Sequence, residues 1–128
     1  MKKILVLVAV LQFIAAQVFT QNPIAPPQKN NFKKLTTCDE ISSYVLQLEK
    51  QAGMVKVEIA GQSVKGRNLY AVRFSSSAFG QDQSKIKVLI FAQQHGNEQS
   101  GKEGVLLLMQ ELLKPGNSYL FDKIDLVL

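Results

Sequence analysis

Apolar positions along this chain change their spacing from segment to segment, and each spacing predicts an element. Between Thr37 and Gly53, the residues Ile41, Tyr44, Val45, Leu48 and Ala52 recur at helical intervals and form a single apolar face. Thr37 and Glu40 stand just ahead of it at capping-box spacing, so a hydroxyl and a carboxylate can each satisfy a backbone N–H at the helix start. Gly53 is a natural stop, because glycine takes the left-handed conformation that often ends a helix. From Val55 the period becomes two: Val55, Val57 and Ile59 face one way, Lys56 and Glu58 the other. Gly61 and Gly66 bracket a turn and "NLYAVRF" resumes the strand pattern, which predicts a β-hairpin. "SSSAFGQDQSK" then reads as a polar loop.

The next segment does not alternate. Val88 to Ala92 is continuously apolar, which predicts a strand covered on both faces. A helical pattern follows, from about Asn97 or Ser100 to Leu113, with Ser100 and Glu103 again at capping-box spacing. Lys114-Pro115-Gly116 ends it. "KIDLVL" reads as another buried strand, and the chain stops inside it. A strand, a helix and a strand in this order imply a parallel, right-handed crossover. The expected class is α/β: a mixed, mainly parallel sheet with an N-terminal β-hairpin and flanking helices. A sheet of these strands alone would leave a hydrophobic edge open. The expectation is therefore the N-terminal part of a longer protein; the alternative is a short chain whose edge a partner covers.

The N-terminal apolar run is of another kind. Two lysines precede an uncharged stretch from Ile4 to about Ile14, and small residues follow. This predicts a secretory signal peptide over residues 1–20, and hence a secreted or periplasmic protein. The run is short, Gln12 interrupts it and no basic cluster follows, which argues against a membrane anchor that persists after processing. Residues 21–36, with Pro23, Pro26 and Pro27, read as an extended linker. The single cysteine, Cys38, lies too far from the processing region to carry a lipid and has no partner for an internal disulfide. It reads as a half-buried helix residue. The formal charge is +5, but Lys2 and Lys3 belong to the signal and the other 13 basic residues are scattered against 10 acidic ones. No nucleic-acid surface is implied.

One histidine remains to be explained. His95 follows the buried strand, and Glu98 stands three residues on, where the next helix begins. In parallel α/β sheets, ligands bind beyond the carboxyl ends of the strands. An imidazole and a carboxylate on such a turn can converge on one point, and both are good zinc donors. Gly96 between them is expected to ease the bend. The spacing alone also fits a surface histidine with Glu98 facing the helix dipole.

The wider pattern is more specific. Gly61, Ser63, Gly66 and Arg67 form a G-x-S-x-x-G-R hairpin, followed by the apolar strand and then by "HGNEQSGKEG". From about Phe32 to Leu128 this resembles the N-terminal part of the zinc carboxypeptidases of the M14 type, in particular the carboxypeptidase N/E branch and its bacterial relatives. The resemblance implies a partial zinc-carboxypeptidase fold over residues 37–128. It implies one zinc ion, with His95 as the first ligand and Glu98 as the second, and a peptide or protein substrate cut at or near its C-terminus. The set of two histidines and a glutamate is the one found in carboxypeptidase A. The third ligand, the general base and the substrate-binding residues match nothing before Leu128 and are not assigned, so this chain alone is expected to be inactive. Asn97 departs from the arginine that digestive relatives carry just before the ligand glutamate. Arg67 matches the hairpin turn and reads as structural. Two alternatives stand beside this one: an aspartoacylase or succinylglutamate desuccinylase type of amide hydrolase, and a non-catalytic fragment.

Overall fold

The computed structural model describes residues 22–128; the segment read as a signal peptide lies outside them. Among the described residues no helix is long and apolar enough to cross a membrane. The first of them do not form the expected extended linker. Pro26–Lys29 is a short helix (α1) with proline in its first turn, where the missing N–H breaks no helical bond. Ala25, Pro26 and Pro27 are buried. Asn22 Nδ2 donates to Leu113 O at 2.7 Å, Gln110 Nε2 donates to Gln28 Oε1 at 2.7 Å, and Ala25 N donates to Gln110 Oε1. Proline rings are apolar and lose little freedom on ordering, so the segment that looks like a spacer can pack as core.

The second helix, α2 (Cys38–Gln51), begins as its pattern predicts. Thr37 Oγ1 accepts from Glu40 N at 3.3 Å, and Glu40 Oε2 accepts from Thr37 N at 2.8 Å. Tyr44, Val45 and Leu48 carry its face into the core. Cys38, at the first helical position, is exposed. The helix ends because Ala52 turns extended, at φ −122° and ψ 109°; Gly53 is not in the left-handed region.

The hairpin pairs β1 (Val55–Gln62) antiparallel with β2 (Asn68–Phe74), from Val55 opposite Phe74 to Gln62 opposite Asn68. Its register shifts between Ile59 and Gly61, so one of the motif glycines stands at a bulge. Its loop is closed three times: Ser63 N donates to Arg67 O at 2.8 Å, Gly66 N to Ser63 O at 2.8 Å, and Arg67 N to Ser63 Oγ at 3.1 Å. Gly66 has φ 71°, a conformation glycine adopts at no steric cost.

Strand β3 (Ile86–Leu89), helix α3 (Gln99–Leu112), a 3-10 helix (Pro115–Asp122) and β4 (Ile124–Val127) complete the chain. β3 and β4 are parallel, with Val88 opposite Leu126, as the strand–helix–strand order requires. β4 also pairs antiparallel with β2, Phe74 opposite Leu126, giving the order β1-β2-β4-β3. The α/β class and the mixed sheet hold. Antiparallel pairings outnumber the parallel one among the described strands, because β4 inserts between the hairpin and β3.

The core lies between this sheet and the helices. Phe74 and Phe121 stack with ring centroids 5.7 Å apart, and both are fully buried. Tyr44 reaches from α2 to donate to Leu106 O at 3.2 Å, and burial pushes its hydroxyl well above the usual tyrosine range.

Two expectations for the second half change. β3 is not covered on both faces: Ile86 and Leu89 are 66% and 68% exposed, and Phe91 beyond it is 68% exposed. Its unalternating run asks for cover on either side, but β4 is its one neighbour among the described strands. The Ser100–Glu103 capping box does not form either. The helix begins at Gln99, with Glu98 as its N-cap. Glu103 instead accepts from Thr36 N at 2.8 Å and from Thr36 Oγ1 at 2.6 Å, while Lys102 donates to Thr36 O at 2.6 Å. A buried threonine with two donors outcompetes the local cap. Burial opposes ionisation at Glu103, but these hydrogen bonds and Lys102 outweigh it and lower its pKa.

Candidate metal centre

Strand β3 runs on through one further ladder bond, Ile90 N to Val127 O at 2.9 Å, and then the chain leaves the sheet. Gln93 redirects it, with φ 59°. His95 to Glu98 form a turn closed by Glu98 N donating to His95 O at 3.1 Å, and α3 begins at the next residue. His95 and Glu98 therefore lie on one turn, outside the carboxyl end of a parallel strand, and both are exposed. This is where an open α/β sheet binds ligands.

Glu98 occupies the N-cap position, yet its side chain makes no capping hydrogen bond. The carboxylate makes no hydrogen bond to the helix end, although its place at the N-cap still faces the helix dipole. The donor set, one imidazole and one carboxylate on an exposed turn, fits two positions of a zinc site. Among the described residues no group of three His, Cys, Asp or Glu side chains could hold a metal ion. A catalytic zinc takes about three protein ligands, so the pair fits as part of a site.

Gly96 does not play the part expected of it. Its φ is not left-handed, and a Cβ built on it meets nothing within 4 Å. The unusual backbone belongs to Gln93, a residue the sequence pattern gives no reason to single out. Gln93 Nε2 donates to Gln99 Oε1 at 3.2 Å, and Gln99 Nε2 donates to Gly96 O at 2.6 Å. Beside the turn opens a concavity of about 540 Å³, with Ile90, Phe91, Gln93 and Gly96 on one side and Arg67 and Met109 on others. Arg67 reaches it from the hairpin, where its backbone closes the loop.

A second polar cluster, unmarked by any motif, lies towards the amino ends of β3 and β4. The Asp125 carboxylate is fully buried. Its Oδ1 accepts from the Ser75 hydroxyl at 2.6 Å, and its Oδ2 from Gly80 N at 2.8 Å and from Lys87 Nζ at 3.0 Å. Lys85 Nζ, also buried, donates to Ser76 Oγ at 2.9 Å and Ser77 Oγ at 3.0 Å. The Ser75 hydrogen bond, the Gly80 amide and Lys87 hold the Asp125 carboxyl at about 2 against the cost of burial. The polar loop is in this way anchored to the central strand, and the strand that leads to His95 is fixed at its start.

Comparison with known proteins bears on the family and the fold. A search of curated proteins returned no match. Among solved structures, the chain is similar to carboxypeptidase A from Helicoverpa armigera, at 28% identity and a TM-score of 0.68 over 75% of this chain and 24% of that one. In fold it is also similar to a metallo-carboxypeptidase from Burkholderia cenocepacia, at 23% identity and a TM-score of 0.57 over 70% and 25% of the two chains. It thus spans about a quarter of the length of these structures. The zinc carboxypeptidase profile, peptidase M14, matches residues 41–128, which take in the hairpin, the His95–Glu98 turn and β4. The chain belongs to the zinc carboxypeptidase family.

Proposed function

We propose that this chain carries part of the active site of an exported metallocarboxypeptidase, with His95 and Glu98 as two ligands of a single zinc ion. The observation that carries the reading is the placement of both side chains on one turn at the carboxyl end of β3, with the Glu98 carboxylate making no hydrogen bond to the helix end. Bound there, zinc would supply Lewis acidity towards a scissile carbonyl. His95 would contribute an imidazole nitrogen and Glu98 a carboxylate oxygen, both from the turn that leads into α3. The adjoining concavity, walled by Ile90, Phe91 and Met109, suits an apolar portion of a peptide. The likeness to carboxypeptidases favours a peptide cut at its C-terminus over an acylated amino acid.

No second histidine occurs in the 128 residues, so the remaining histidine ligand of the family set must come from outside this sequence. The chain by itself is accordingly expected to show no peptidase activity.

The test is zinc content of the full-length native protein after metal removal and reconstitution. His95→Ala and Glu98→Ala should each abolish stoichiometric zinc. Unchanged zinc in His95→Ala would refute the ligand assignment. Export is tested separately, by the N-terminal sequence of the mature protein: it should begin shortly after residues 16–20, and an intact Met1 would exclude processing.

A further inference from the structure

Gln93 holds a left-handed backbone, φ 59°, without being glycine. Side chains with a Cβ avoid that region unless their surroundings enforce it. It does so two residues before His95, at the point where the chain leaves the sheet. Its surroundings include one specific partner, Gln99, which lies just after Glu98.

The two amides can be oriented in one way. Gln99 Nε2 is given to a carbonyl, Gly96 O, at 2.6 Å, and a carbonyl only accepts. Gln99 Oε1 is therefore the atom left to accept from Gln93 Nε2, at 3.2 Å. These bonds link the residue before the turn, the residue after it and the residue inside it. The first helical turn is seated on the same spot: a Cβ on Gly101 would lie 3.6 Å from Ala92 Cβ and 3.7 Å from Gln93 N. Gln93 and Gln99 are both half-buried, so water competes less well for the bond between them; the Gln99–Gly96 bond is exposed.

We infer that Gln93 and Gln99 are positioning residues, a side-chain clamp that sets the spacing of His95 and Glu98 before a metal arrives. The inference rests on the zinc-ligand reading above. Partners that orient metal ligands in this way tune affinity without touching the ion. The clamp does so through the backbone: it holds Gly96 O from one side and the strand exit from the other, so the turn cannot open without breaking a side-chain hydrogen bond.

The experiment uses the full-length protein and the substitutions Gln99→Met and Gln93→Met, which keep side-chain length and remove the hydrogen bonds. Amide exchange in the metal-free protein is read at Glu98, whose N–H closes the turn on His95 O. Zinc affinity is read by competition with a chelator. Both variants should exchange faster at Glu98 while the β1–β2 amides stay protected, and both should bind zinc about 10-fold or more weakly. The double variant should lose no more than the stronger single one, because the two residues act as a pair. Unchanged Glu98 exchange together with unchanged affinity would overturn the clamp. If His95→Ala retains zinc, the ligand reading has failed instead, and the exchange result still decides whether the clamp exists.

Discussion

The Ser75 hydroxyl donates to the Asp125 carboxylate across 2.6 Å, joining two residues fifty positions apart in the sequence. That contact ties the loop after the hairpin to the central strand. It places a negative charge in the interior close to the buried Lys85 ammonium. Asp125→Ala would leave Lys85 buried without a counter-charge, and removing one partner of a buried pair is among the most damaging single changes. Chemical denaturation should show a larger loss for Asp125→Ala than for the capping variant below, with Asp125→Asn in between.

The same carboxyl makes stability depend on pH. It is held at about 2 by the Ser75 hydrogen bond, the Gly80 amide and Lys87, against about 3.9 for a free aspartate. A carboxyl lowered in the folded state binds its proton more readily when unfolded. Its stabilisation is therefore complete above about pH 4 and is lost as pH falls towards 2. The stability difference between the native sequence and Asp125→Asn should narrow over that interval. Measuring the difference matters, because Lys34 and Thr37 hold Glu40 at about 2 as well and it titrates in the same range.

Thr37→Ala removes the acceptor for Glu40 N at the start of α2. The expected loss is about 1 kcal/mol by denaturant titration. Glu40→Gln should cost less, since an amide oxygen can still accept from Thr37 N.

Glycine substitutions should separate backbone need from mere presence. Gly66, at φ 71°, should lose about 1–2 kcal/mol on change to alanine. Gly96 is neither left-handed nor crowded, so Gly96→Ala should stay within about 0.5 kcal/mol by thermal unfolding.

Phe121 fills the core against Phe74 and is fully buried. Phe121→Ala should destabilise by about 3–5 kcal/mol, as read by denaturant titration.

Much of this was legible in advance because its cause is local. Periodicity placed α2, the hairpin, α3 and β4, since side-chain direction repeats with the backbone's own geometry. The G-x-S-x-x-G-R turn could be read because Ser63, Gly66 and Arg67 satisfy one another within five residues. His95 and Glu98 could be placed on one turn because a strand end, a turn and a helix start follow one another within a few residues.

What the sequence determined by itself stops where a residue's partner is distant. Thr37–Glu40 and Ser100–Glu103 have the same spacing, yet only the first closes as a box, because Thr36 offers Glu103 two donors from 67 positions away. The apolar run of β3 announced cover on both faces, yet among the described residues Ile86 and Leu89 are exposed. The left-handed Gln93 and the charge buried at Asp125 carry no pattern of their own. Asp125 depends on Ser75 and Gly80, which only the folded chain brings within hydrogen-bond reach. Local sequence therefore marked the turn on which His95 and Glu98 sit, and tertiary contacts decided the partners of Glu103 and Asp125, because those partners are distant in the chain.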